Sequence, residues 1–169
     1  MRAKERIPII LDLLENNYMD FLIDTGIGEE NRGQLIDLYF VKRKEIEEFW
    51  MENPDLRLTQ VFVNLDIIPN VAGFWYYKEE TDYVVEKGWC KFEDIHFWGV
   101  NFSKDGKRLP QTIFKKLSDL DIDHVINILK FFDEKSLRTK MNPKYLQYFE
   151  KLEKEKLEKQ IKDIIKNDE

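Results

Sequence analysis

Across 169 residues the sequence holds one cysteine, Cys90, and two histidines, His96 and His124. A single thiol excludes a disulfide framework and any zinc site built from several cysteines. The two imidazoles lack the paired spacing of a helical ligand set, which leaves little material for a metal centre. No apolar run approaches the roughly 18 residues needed to cross a bilayer. The opening MRAKERIPIILDLLENN has a basic start, a short apolar stretch broken by Pro8 and Asp12, and no small-residue cleavage site. The expectation is a reduced, cytoplasmic protein without a membrane contact. Basic residues are the minority, 27 against 33 acids for a net charge of −6. That balance disfavours a protein that coats a duplex.

What is present suffices for a core. Hydrophobic residues make up 43% and aromatics 14% of the chain, so wholesale disorder is excluded. From Arg6 to Ile23 the residues Ile7, Ile10, Leu11, Leu14, Tyr18, Phe21 and Leu22 recur at three- and four-residue steps. This predicts an amphipathic helix with Pro8 in its first turn, closed by a turn at Asp24–Gly28. A second helix is expected over about Gln34–Met51, broken or bent by the polar insert Lys42–Glu45. Asn53-Pro54 ends it, and Asp55 is expected to cap a third helix from Leu56 to about Leu65. Val71–Tyr77 is aromatic and β-prone, either a short strand or a loop closing the core. Thr81 is expected to cap a brief helix, Asp82–Lys87, stopped by Gly88. The clearest β signal is a hairpin at about 95–117, with Asp105-Gly106 in its turn and His96, Trp98, Val100 and Phe102 on one face.

Asp119 or Asp121 starts the next helix, striped by Ile122, Val125, Ile126, Leu129 and Phe132. Asn142-Pro143 then starts a C-terminal helix with no further Gly or Pro. Its apolar residues form two groups, Tyr145, Phe149 and Leu152, then Leu157, Ile161, Ile164 and Ile165. Five residues separate Leu152 from Leu157, so the groups fall out of one heptad phase. The first is expected to pack on the body; the second is either a partner-helix surface, with homodimerisation as one use, or a frayed tail. The fold expected is α+β, predominantly helical with five to six helices and one hairpin. Residues 1–140 would form a single core and 142–169 the C-terminal amphipathic helix.

The constellations that carry chemistry are thin. Asp119-x-Asp121-x-Asp123 opens like a calcium loop, but His124 stands where its glycine belongs and Lys130 where its closing acid belongs, so calcium is rejected. The glycines 26 and 28 lack the Lys-Ser/Thr helix start of a phosphate loop. Cys90, between Trp89 and Lys91, is read as a small apolar residue rather than a nucleophile with a lowered pKa. His96 and His124, with Cys90, Glu93 or Asp94, are the only route to a small metal-dependent hydrolase. Phe74–Tyr77, Trp89, Phe92, Phe97 and Trp98 are mixed with Lys78, Lys87, Lys91, Lys104, Lys107 and Arg108, the composition of a single-stranded nucleic-acid platform. The neighbouring acids argue for core packing instead.

Two stretches carry a resemblance. One is Ile46–Trp50, Asn53-Pro-Asp-Leu-Arg-Leu58, Gln60 and Asn64, followed by Phe74–Glu80. The other is Trp98-Gly-Val-Asn, Lys104-Asp-Gly-Lys, Leu117-Ser-Asp-Leu-Asp and His124–Leu129. Together they cover about half of the chain, and they resemble small bacterial and phage-encoded proteins of unknown function. Thr59 departs from the glycine that precedes Gln60 in that pattern. The resemblance implies a mobile-element context and supplies no activity. Arg57, Gln60 and His124 are its polar residues that architecture does not require. With Trp75 and Trp98 they are the candidate ligand or partner surface. The expected function is therefore a non-enzymatic protein-interaction protein with an unidentified protein partner and no cofactor. A single-stranded nucleic-acid binder and a His96/His124 hydrolase are the alternatives.

Overall fold

The computed structural model describes residues 2–68, 78–103 and 105–167. Among them are seven α-helices and one two-stranded antiparallel sheet, the α+β class expected. In chain order these are α1 (Arg6–Asp24), α2 (Glu29–Glu52), α3 (Leu58–Asn64), α4 (Glu80–Glu86) and α5 (Phe92–Ile95). The hairpin β1 (Phe97–Phe102) and β2 (Arg108–Lys116) follows, then α6 (Ile122–Glu134) and α7 (Pro143–Asn167). The chain forms two compact units, Met1–Leu117 and Ser118–Glu169. Helix α6, grouped by the sequence with a core over 1–140, thus falls with the C-terminal helix. The aromatic segment Val71–Tyr77, including Trp75, lies outside the described residues.

The first unit is organised by α1. Its stripe Ile7, Ile10, Leu11, Leu14, Tyr18, Phe21 and Leu22 is buried, as three- and four-residue spacing requires of a core-facing helix. These side chains meet Tyr39, Ile46 and Trp50 of α2, Val61 and Phe62 of α3, and Tyr83 and Val84 of α4. Tyr18 stacks on Tyr39 with ring centres 4.3 Å apart, and Phe62 meets Phe21 edge-on at 6.1 Å. Within α1, Asn17 leaves helical geometry (φ −134°, ψ 20°) while its side chain donates to Leu13 O, so the helix is kinked there. After α1, Gly26 takes φ +78°, and the Gly26 and Ile27 amides return to Ile23 O and Leu22 O. This closes the helix end with a left-handed residue that only glycine adopts cheaply.

Four local expectations are corrected. The insert Lys42–Glu45 does not break α2, which runs unbroken to Glu52. Arg43 instead reaches Glu15, Asp12 and Glu47, and Lys42 donates to Leu65 O, so these polar residues fasten the helix surface. Asp55 does not cap α3. Its carboxylate accepts the Arg2 amide, while Arg57 occupies the cap position and the Gln60 side chain accepts the Arg57 amide. Helix α4 starts two residues early, with Glu79 and not Thr81 at the cap position. Ile95 ends the one-turn helix α5 rather than opening the strand.

The hairpin is as expected around Ser103–Gly106, with Gly106 at φ +78°. Trp98 pairs with Lys115, Val100 with Ile113 and Phe102 with Arg108 on one face. Phe97 with Lys116 and Gly99 with Phe114 occupy the other. The register slips between Val100 and Phe102, and Pro110 sits in the extra length of β2, where no ladder N–H is required.

In the second unit α6 buries Val125, Ile128 and Leu129, a stripe rotated toward Ile128 from the one expected through Ile126. Asn142 starts α7 by accepting the Lys144 amide, with Pro143 first in the helix. Phe149 is fully buried, and Arg138 ties Asp133 to Glu150 at 2.7 and 3.3 Å.

Candidate functional site

Helix α7 changes character along its length. Its first half holds the buried Phe149 and the half-buried Tyr145 and Leu152, and Lys156 pairs with Asp123 of α6. From Leu157 to Lys166 every residue is exposed. Four of them are large and apolar: Leu157, Ile161, Ile164 and Ile165 are 54, 57, 62 and 57% exposed. Steps of four and three residues put these side chains on one side of the helix. Together they present roughly 400 Å² of apolar surface, the size at which an uncovered patch on a monomer marks an interaction site. Charged residues of both signs flank it, with Lys156, Glu158, Lys162, Asp163 and Lys166 adjacent in sequence.

The other residues singled out by sequence are placed individually. Arg57 pairs through Nε with Glu79 at 2.9 Å, and Gln60 serves the start of α3. Both are engaged in the fold. His96 sets its ring on Phe92, 4.0 Å between centres, with Nδ1 2.9 Å from Phe92 O. It belongs to the first unit, whereas the half-buried His124, in the first turn of α6, belongs to the second. Among the described residues no group of three or more His, Cys, Asp or Glu side chains is placed to hold a metal ion. Cys90 is half-buried. Burial, and then Asp94, push its thiol above the ordinary value, the opposite of nucleophile activation. Trp98 is half-buried on the hairpin, across from Lys115. No described helix is long and apolar enough to cross a membrane.

One cluster had no sequence signal. Arg6 and Glu80 are each 4% exposed. Arg6 Nε and one terminal nitrogen donate to Glu80 Oε1 at 3.1 and 3.0 Å, and the guanidinium also reaches Ala3 O and Pro54 O. Its carbon stands 5.6 Å from the centre of the Trp50 ring, whose indole N–H donates to Leu56 O. The other Glu80 oxygen accepts the Leu58 amide at 3.4 Å, and Arg2 and Arg57 share Glu79 at 2.6 and 2.9 Å. Every charge in the cluster is answered, as burial demands. The cluster thus ties α1, the 53–58 turn and α4 together.

Beside it, Ile10, Leu14, Phe21, Thr59, Glu80 and Tyr83 line a cavity of about 10 Å³. Thr59 Oγ1 is buried there with no hydrogen-bond partner among the described residues. Space on this scale suits one water, far below the ~300 Å³ at which small-molecule sites begin.

No protein-family model matches the sequence, and no curated protein and no solved structure is significantly similar to it.

Proposed function

We propose that the chain is a non-enzymatic interaction protein, of the phage or mobile-element kind its motifs resemble, that works by presenting the end of α7 to a helix of a protein partner. The observation that carries the reading is the exposed stripe Leu157, Ile161, Ile164 and Ile165 on a segment with no other covered residue. A helix whose last turns are apolar on one side and charged on the other meets a partner through that side. The stripe is about half of the ~800 Å² that each partner contributes to a standard stable interface. The contact is therefore reversible, and a second copy of the chain is the partner always available to it.

The test is light scattering across a wide concentration range on the full chain, on Ile161→Lys and on a truncation after Lys156. The full chain is expected to exceed its 20.5 kDa monomer mass as concentration rises, or to hold a stoichiometric protein from its native source. Both variants should be monomeric and free of that protein, with unchanged thermal unfolding. A chain that is monomeric throughout, with no partner whose capture depends on Ile161, overturns the reading. So does loss of the cooperative melt on truncation, which would make the stripe part of the core.

A further inference from the structure

We infer that the β1–β2 hairpin is a single-stranded nucleic-acid contact, with Phe102 stacking a base and Arg108 and Lys115 holding the flanking phosphates. Residues 96–117 contain five basic residues and one acid, a net +4 in a chain whose total is −6. Ion pairing sharpens the contrast. Arg2, Arg6, Arg43, Arg57 and Arg138 all face carboxylates. Glu79, Glu80 and Glu86 are answered by Arg2 and Arg57, by Arg6 and by Lys78, and Asp105, the one acid within the hairpin, pairs with Lys107, while Glu93 and Asp94 precede the strand on α5. By contrast, Arg108 and Lys115 are exposed and face no carboxylate among the described residues. Both stand on the hairpin, each across from an aromatic residue.

The register turns this charge into a recognition pattern. On one face each aromatic has a cation directly across the ladder, Trp98 beside Lys115 and Phe102 beside Arg108, with Ile113 between them. Directly opposed residues lie about 5 Å apart, so a ring and a positive charge are presented side by side. Phe102 is 57% and Ile113 45% exposed, an unusual cost on a strand unless something covers them. Stacking on a ring face with a phosphate held alongside is how single strands bind without sequence preference. An acidic peptide would use the cations and leave the Phe102 ring without a role.

The experiment is fluorescence anisotropy of a labelled oligo-dT 20-mer with the full chain, at salt concentrations from about 20 to 200 mM. Two phosphate contacts predict a slope of log K against log salt near −1.4. Arg108→Gln with Lys115→Gln should bring that slope close to zero. Phe102→Ala should weaken binding at least about fivefold without altering the slope. Lys44→Gln on α2, equally exposed, should change neither. All four positions are at the surface, and circular dichroism should show every variant folded. Absence of binding at the lowest salt overturns the inference, as does a slope that the double variant leaves unchanged. Equal binding of a poly-glutamate peptide, insensitive to Phe102→Ala, would also overturn it and assign the hairpin to an acidic protein.

Discussion

Glu80→Gln changes one buried atom group and tests the electrostatic logic of the first unit. The substitution keeps shape and one acceptor but removes the charge that answers Arg6. The Arg6 guanidinium then remains 4% exposed with neutral groups alone about it: the amide oxygen at position 80, the Ala3 and Pro54 carbonyls and the Trp50 ring. Removing one partner of a buried pair costs about 3–5 kcal/mol. The retained acceptor puts this case near 3 kcal/mol, a large part of a typical 5–15 kcal/mol total. For a chain of this length that is a fall in Tm of roughly 10 °C and in urea midpoint of about 1–2 M. Arg6→Met with Glu80→Leu removes both charges. It costs the Leu58 amide a long 3.4 Å bond and the part-buried Pro54 carbonyl its donor, about 1 kcal/mol each at the low end for such groups, while Ala3 O keeps the amide of residue 6 and no bare charge is left. The double variant should therefore regain part of the loss and unfold above Glu80→Gln. Urea titration followed by tryptophan fluorescence decides it. A loss below about 1 kcal/mol in the single variant, or a double variant no more stable than the single, refutes the reasoning.

Two further predictions concern stability. Burial raises the phenols of Tyr18 and Tyr39, and for Tyr18 the Tyr39 hydroxyl adds to the effect. The unfolded chain ionises first, near pH 10, so stability is full below that value and falls as pH rises beyond it. Spectrophotometric titration should show two of the seven tyrosines ionising only together with alkaline unfolding, and smooth titration of all seven in a folded chain would contradict this. An added methyl at Gly26 meets no atom within 4 Å, but the residue sits at φ +78°, so Gly26→Ala should cost about 1–2 kcal/mol through the backbone alone. Gly33→Ala, inside α2 and equally unobstructed, should instead stabilise by roughly 0.5–1 kcal/mol in the same thermal melt.

The elements legible in the sequence were those fixed by neighbours in the chain. The α1 stripe, the Asp105-Gly106 turn and the Asn142-Pro143 start each depend on spacing or on a residue's own backbone preference, and all three stand in the fold. What failed was decided at long range. Asp55 reads as a cap, but the Arg2 amide, 53 residues away, takes its carboxylate. Lys42–Glu45 reads as an interruption, but Arg43 finds Asp12 and Glu15 on α1. No local pattern could show that Arg6 and Glu80 meet. The exposed stripe of α7 was legible because its residues fall out of phase with Phe149 and Leu152. The hairpin's free cations emerged only once five of the other six arginines were seen to face carboxylates.

The distance in sequence between Arg6 and Glu80, 74 residues, sets an order of events during synthesis. At about 5–20 residues per second, α1 is made some 4–15 s before its counter-charge exists. Throughout that interval the nascent first helix carries a cation that cannot enter an apolar core. Helices α1 to α3 can gather, but they cannot close around Arg6 until α4 has left the ribosome. A fragment that ends before Glu80 therefore keeps Arg6 without its counter-charge.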